Sequence, residues 1–126
     1  MMLITRETAA APAAVGPYAQ SVLAGQMLFI SGQIPLDPKT GQMVAGGIKE
    51  QAARVMENLL AILKEYDADF SFVAKATCFL TDMSDFAEFN EVYARYMDGH
   101  KPARVCVAVR ELPKGAICEV EVIAML

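Results

Sequence analysis

One arginine, Arg104, lies within a run that otherwise has the composition of a buried strand, Pro102-Ala103-Arg104-Val105-Cys106-Val107-Ala108-Val109. Side chains alternate between the two faces of a strand, so Arg104 shares a face with Cys106. A guanidinium stays charged in proteins, and burying it without a partner is costly. The sequence therefore predicts an anion at this face, from the protein or from a ligand. An edge-strand arginine that extends its head group into water is an equal alternative.

The last strand carries two acidic residues that could share this face, Glu119 and Glu121. If the valines of both strands face the helices, the two carboxylates lie with Arg104 and Cys106 on a face that no helix covers. Such an open face would also carry apolar residues, and large exposed apolar patches usually mark association. We therefore expect a closed homo-oligomer with the charged groups in clefts between subunits. An ordinary Arg–Glu pair joining subunits would explain the same pattern.

Several other chemistries are made improbable by residue types. His100 is the only histidine, which disfavours Ser-His-Asp or Cys-His catalysis and a histidine-based metal site. The three cysteines lack C-x-x-C spacing, and core packing is their expected role. Cys106 is the exception, because it shares a strand face with Arg104. Gly46-Gly47 precedes a helix without any Walker or dinucleotide pattern, so a turn is expected there rather than a phosphate site.

The elements that must position these groups follow from periodicity. A short strand is predicted over 2–6, then a hairpin with strands over 18–24 and 27–30, joined by Gly25-Gln26. Further strands are predicted over 72–80, 103–109 and 117–126. Apolar residues at three- and four-residue spacing predict helices over 48–66 and 86–97. This order indicates an α+β sandwich with a mixed sheet and both helices on one face.

Asn90 lies on the apolar stripe of the second predicted helix. A structural asparagine that hydrogen-bonds a nearby loop is the favoured interpretation, because buried polar groups are usually paired. A direct ligand contact is the alternative.

Composition bounds the class of protein. The 126 residues predict one domain over 1–126, large enough to fold without a disulfide or metal. A net charge of -4 with 11 Lys and Arg argues against extended nucleic-acid or anionic-membrane contact, so a small partner is expected. There is no 18-residue apolar run, and we expect no signal peptide. Reduced thiols predict a cytoplasmic location.

Several separated stretches of the chain form a set of motifs. In chain order they are Ala11-Pro12, Gly16-Pro17-Tyr18, Ser31-Gly32-Gln33-Ile34-Pro35, Asp85-Phe86 with Asn90 and Tyr93, Pro102-Ala103-Arg104, Leu112-Pro113 and Glu119-Val120-Glu121. Together they resemble the Rid family, also called the YjgF family, and specifically its RidA-type imine deaminases. The resemblance covers nearly the whole chain.

This resemblance implies a chorismate-mutase-like fold and a homotrimer with sites between subunits. It implies hydrolysis of reactive enamines and imines, 2-aminoacrylate with its tautomer 2-iminopropanoate and also 2-iminobutanoate, to 2-oxo acids and ammonia, with no cofactor. By position, Arg104 matches the arginine that holds the substrate carboxylate, and Glu119 matches an acidic residue near the attacking water. Tyr18 and Ser31 match pocket-lining residues, and Gly32 and Cys106 match positions whose backbone groups reach the ligand.

The chain departs from its relatives beside this expected pocket. Val105 follows the arginine where serine is common, and the loop over 98–101 is short. Both changes bear on substrate range, because side-chain size near the carboxylate decides which imines fit. A non-catalytic binder of small 2-oxo or other carboxylates is the alternative function. Ribonuclease or translation inhibition is a third reading, disfavoured by the acidic balance.

Overall fold

Six strands and two helices make up the fold. The computed structural model describes residues 2–126. Its elements are β1 (Leu3–Ile4), β2 (Ser21–Ala24), β3 (Met27–Gln33), α1 (Ile48–Lys64), β4 (Val73–Leu80), α2 (Phe86–Met97), β5 (Ala103–Ala108) and β6 (Cys118–Met125). The predicted order of strands and helices and the mixed sheet are thereby confirmed. The ends of most elements shift inward, and β3 is longer than predicted because it continues through Ser31-Gly32-Gln33.

The sheet has the strand order β1-β2-β3-β6-β4-β5, so the last strand of the chain lies in its middle and β5 forms one edge. Within residues 2–126, only β4 and β5 pair in parallel, and α2 is the crossover between them. The predicted hairpin is present, with Ala24 opposite Met27 across Gly25-Gln26. This topology brings Glu119 beside β3 and leaves Arg104 at the outer edge.

Each helix begins and ends at residues that suit the change of direction. At the start of α1, the Gly47 amide donates to Glu50 Oε1 over 2.8 Å, which caps the helix where Gly46 and Gly47 form a bend. Before α2, Asp82 accepts from the Ser84 amide over 2.9 Å in a short 3-10 turn. The helix ends where Asp98 adopts a left-handed conformation with φ 48°.

Both helices pack on one face of the sheet and enclose the core there. Alternate residues of β3, β4 and β6 are buried beneath them, among them Leu28, Ile30, Ala76, Cys78, Leu80, Cys118, Val120 and Val122. The helices contribute mainly Val55, Met56, Leu59, Leu63 and Phe89. Burial of these apolar side chains is the main favourable free-energy term of such a fold.

The other face of the sheet carries no helix and is rich in apolar side chains. Met27, Phe29, Val105, Val107 and Met125 are each 40–45% exposed in the single chain. The predicted open apolar face is therefore present. Neither helix of the described chain is long and apolar enough to cross a membrane.

Candidate active site

Arg104 lies on the face of β5 that α2 covers, which corrects the predicted orientation of this strand. Arg104 pairs with Ala76 and Cys106 pairs with Cys78 in the parallel ladder, and both partners are buried beneath the helices. Val105 and Val107 point to the open face, where they are 45% and 40% exposed. The prediction that Arg104 and Cys106 share a face with Glu119 and Glu121 is therefore wrong.

The error has a physical cause in the position of β5. Alternation fixes which residues share a face of a strand, but it does not say which face a helix covers. At this edge, α2 gives Arg104 aromatic and amide neighbours, so the arginine stays half-buried on the helix side. The valines instead extend the apolar surface of the open face.

Three residues of α2 surround the guanidinium of Arg104. Its Nη1 donates to Asn90 Oδ1 over 2.7 Å. Its Cζ lies 4.8 Å from the centre of the Tyr93 ring and 5.6 Å from that of Phe86. Rings at these distances attract a cation through their π faces. No carboxylate of residues 2–126 lies within 4.0 Å of the guanidinium, so its charge is not paired within the described chain.

A groove of about 340 Å³ opens beside this guanidinium. We call it the Arg104 groove; its lining includes Asn90, Tyr93, Met97, Lys101, Pro102 and Arg104. Two cationic side chains line it, and within residues 2–126 no Asp or Glu does. Its size lies at the lower end of the range for small-molecule sites. It can therefore hold a small anion.

Glu119 lies in a second concavity on the opposite face of the sheet. This Glu119 cleft has a volume of about 410 Å³, and its lining includes Tyr18, Ser31, Gly32, Pro113, Glu119 and Glu121. The structure thus brings together four of the predicted site residues, Tyr18, Ser31, Gly32 and Glu119. It separates them from Arg104 and Cys106, which lie on the helix side of the same sheet.

Local contacts hold the walls of the Glu119 cleft. The Ser31 hydroxyl donates to the Ala19 carbonyl over 2.6 Å, which ties β3 to the segment before β2. Gly32 lies directly against Glu119, and a Cβ atom there would overlap the carboxyl group. Tyr18 stays 53% exposed at the rim. Glycine is therefore required at position 32 if the carboxylate is to keep this place.

The Glu119 cleft stabilises the protonated form of the Glu119 carboxyl group relative to the same group in water. Burial, and secondly the negative charge of Glu121, raise the pKa of Glu119 above its ordinary value of 4.5. A raised pKa suits a carboxyl group that must both accept and return a proton near neutral pH.

The three thiols are poor nucleophiles in these surroundings. Burial, with a smaller effect of a neighbouring thiol, raises the pKa of Cys78 and of Cys118 to about 12. Burial also raises the pKa of Cys106, although Arg104 opposes the shift. The thiolate is the reactive form, so none of the three is activated. No group of three or more His, Cys, Asp or Glu within residues 2–126 is placed to hold a metal ion.

The surroundings of Arg104 were only partly foreseen from sequence. Asn90 is paired, as predicted, but its partner is the Arg104 side chain, so the predicted loop partner is wrong. Asn58 of α1 is the asparagine that bonds a loop, donating to the Leu36 carbonyl over 3.1 Å. The aromatic contacts of Phe86 and Tyr93 were missed. Their spacing with Asn90, at i, i+4 and i+7, places all three on one helix face and was a usable signal.

Known proteins resemble this chain in sequence over most of its length. Residues 8–126 match a family model described as Endoribonuclease L-PSP. A RutC family protein from Pyrococcus horikoshii is 53% identical over 114 residues, which cover 90% of each chain. A 2-iminobutanoate/2-iminopropanoate deaminase from Mus musculus is 47% identical over 118 residues, covering 94% of this chain and 87% of the relative.

Solved structures agree with the fold. The crystal structure of Escherichia coli TdcF with bound serine superposes with a TM-score of 0.93 at 43% identity, covering 98% of both chains. The likeness therefore extends over the whole sheet and both helices.

Proposed function

Because the chain belongs to the Rid (YjgF) family, whose model carries the description Endoribonuclease L-PSP, we propose that it is an imine deaminase. Its substrates are small 2-imino acids and their enamine tautomers, such as 2-aminoacrylate, 2-iminopropanoate and 2-iminobutanoate. Its products are the 2-oxo acids and ammonia. The name of the mouse relative supports this substrate class.

The observation that carries the proposal is the unpaired charge of Arg104. Its guanidinium is held by Asn90 and two aromatic rings, with no carboxylate of the described residues within 4.0 Å. A planar guanidinium suits bidentate binding of a carboxylate, and every proposed substrate carries one. Arg104 therefore binds the substrate carboxylate.

Arg104 and Glu119 cannot act on one small substrate within a single chain, because they lie on opposite faces of the sheet. The Arg104 groove is cationic and the Glu119 cleft is acidic. In the proposed head-to-tail interface, the groove of one subunit faces the cleft of the next. Such an interface forms a ring when the rotation between subunits closes. The family resemblance supports three subunits in this ring. The exposed apolar face beside both half-sites is buried by the same assembly.

The chemistry needs a positioned water and a proton acceptor. The carbon of a protonated imine is electrophilic, so the water must mainly be held at about 3–3.5 Å from it. Glu119 accepts a proton from the water as the C–O bond forms. Glu119 then returns the proton to the nitrogen of the resulting carbinolamine, and the C–N bond breaks. The hydroxyl group loses its proton to solvent as the C=O bond of the 2-oxo acid forms, and ammonia leaves. Tyr18 and Ser31 line this pocket, and the backbone groups of Gly32 and Cys106 contact the ligand.

The test is a coupled assay. A serine dehydratase generates 2-aminoacrylate in the presence of a competing nucleophilic trap, and pyruvate formation is followed. We expect the wild-type protein to raise pyruvate yield and Arg104→Ala to lose at least about 100-fold in kcat/KM. Arg110→Ala is the matched control, because Arg110 is exposed just beyond β5. A pyruvate yield that is unchanged by wild-type protein would refute the deaminase.

A second candidate is a non-catalytic binder of small amino or 2-oxo acids, which the serine bound to the Escherichia coli relative favours. Such a protein keeps its dependence on Arg104 but tolerates Glu119→Gln. Calorimetry that shows 2-oxobutanoate binding without any turnover would select this function. The family description also names a ribonuclease; RNA cleavage that persists in a highly purified sample and falls with Glu119→Gln would favour that reading.

A further inference from the structure

The partner that orients Arg104 is a neutral amide, Asn90. Its Oδ1 accepts from Nη1 over 2.7 Å and thereby uses one of the five guanidinium N–H donors. Arg104 stacks over Tyr93 and Phe86 of the same helix face. These contacts restrain the guanidinium and leave the remaining donors free.

A second arginine–asparagine pair in the fold shows what a purely structural asparagine looks like. Asn58 is 0% exposed, accepts from Arg54 Nε over 3.0 Å and donates to the carbonyls of Ile34 and Leu36. All of its polar atoms bind the protein. Asn90 is only partly buried and lines the Arg104 groove. Its one side-chain hydrogen bond in the described structure goes to Arg104.

The identity of the partner atom decides the charge of the groove. An amide oxygen orients a guanidinium without cancelling its charge, whereas a carboxylate at the same place forms an ion pair and competes with any bound anion. Aspartate has the same shape as asparagine, so sterics do not explain the choice. Charge does explain it, because a groove without Asp or Glu keeps its full attraction for a carboxylate.

We propose that Asn90 is a positioning residue that fixes the guanidinium plane of Arg104 while keeping its charge available to a small carboxylate ligand. This inference rests on the proposed binding of the substrate carboxylate to Arg104. Asn90 acts through Arg104 and does not itself take part in bond making. Tyr93 supplies the supporting surface, and its buried hydroxyl has no partner in the described residues.

Two near-isosteric variants separate charge from shape. Asn90→Asp keeps the acceptor and adds a negative charge, whereas Asn90→Leu removes the hydrogen bond and adds none. We expect KM for the imine to rise about 30- to 100-fold in Asn90→Asp, with kcat within about threefold of wild type, because ground-state binding is what is lost. In Asn90→Leu we expect a smaller rise in KM, of about 3- to 10-fold.

Calorimetry with 2-oxobutanoate gives a readout that does not need turnover. The dissociation constants should follow the same order, with Asn90→Asp weakest, then Asn90→Leu, then wild type. Ala87→Asp is the control, because Ala87 is exposed on the same helix and an acidic side chain there should leave binding unchanged. Thermal unfolding of each variant checks that the fold is retained.

The outcomes separate this inference from the proposed deaminase. If wild type binds 2-oxobutanoate but turns nothing over, the deaminase fails, and the order of binding constants still decides the role of Asn90. Equal losses in Asn90→Asp and Asn90→Leu would overturn the inference, since only packing would then matter. Tight binding by Asn90→Asp, or no binding of 2-oxobutanoate by wild type, would overturn it as well.

Discussion

The Arg104 groove and the Glu119 cleft are built in opposite ways from the same sheet. The groove lies at an edge strand, on the helix side, and a helix supplies aromatic and amide contacts to its cation. The cleft lies on the open side, where a glycine in β3 makes room for a carboxyl group. Each concavity carries charge of one sign and lacks its complement within the described chain. We infer from this difference that each is half of a site.

The first prediction tests whether Arg104 of one subunit and Glu119 of another form one site, by placing the two substitutions in different chains. Arg104→Ala and Glu119→Gln should each be nearly inactive alone, because every intersubunit site then lacks one residue. In mixed trimers formed by co-expression at equal levels, about a quarter of the sites pair an intact Arg104 with an intact Glu119. Activity should therefore return to about a quarter of wild type, measured per site by the pyruvate assay.

Each variant expressed alone is the control for that experiment. If the mixture stays as inactive as its components, the two residues do not work across an interface, and the half-site interpretation is wrong.

The second prediction concerns the apolar face that flanks both halves. Val107 is 40% exposed on the open face in the single chain, so Val107→Asp places a charge where we expect another subunit. Light scattering should show the mass falling from trimer to monomer, and activity should fall at least about 50-fold because every site is divided. Phe72→Asp, at a residue that is 38% exposed in a short 3-10 turn before β4, is the control. A monomeric mass for the wild-type protein would remove the shared site altogether.

Sequence periodicity predicted the strands and helices well, because burial on one side of an element imposes that periodicity. In β6, alternate residues Cys118, Val120 and Val122 are buried while Glu119 and Glu121 point outward, and the helices follow their apolar stripes equally closely. Elements covered on one side only have a pattern that fixes both their type and their orientation.

The same reasoning failed at β5, where the apolar pattern does not distinguish the two faces. Val105 and Val107 look like core residues, yet they face the open side, and the charged Arg104 lies beneath α2. A surface that associates with another subunit carries the same residue types as a core. Which valines face a helix and which face the open side is a property of tertiary packing, so it could not be predicted from one strand.

The third prediction sharpens the description of the cleft. Gly32 makes room for the Glu119 carboxyl, so Gly32→Ala should displace that carboxylate and lower kcat about 10- to 100-fold, with a small change in stability. In a Glu119→Ala background the same substitution should cost almost nothing further, because the overlapping group is gone. Additive losses in kcat across this double-mutant cycle would show that Gly32 acts independently of Glu119.

The smallest expected effect distinguishes the electrostatics of the cleft from those of the groove. Burial first and Glu121 second raise the pKa of Glu119, so a base at this position loses its function as the pH falls through a value above 4.5. Glu121→Gln removes only the second cause. The acidic limb of the kcat/KM profile should therefore move to lower pH, but only part of the shift should be lost, because burial persists. An Asn90→Leu profile, measured as the matched control in the groove, should keep its acidic limb in place while its height falls. If Glu121→Gln leaves the limb unmoved, a group other than Glu119 controls it, and the cleft then contributes shape to the site without a proton acceptor.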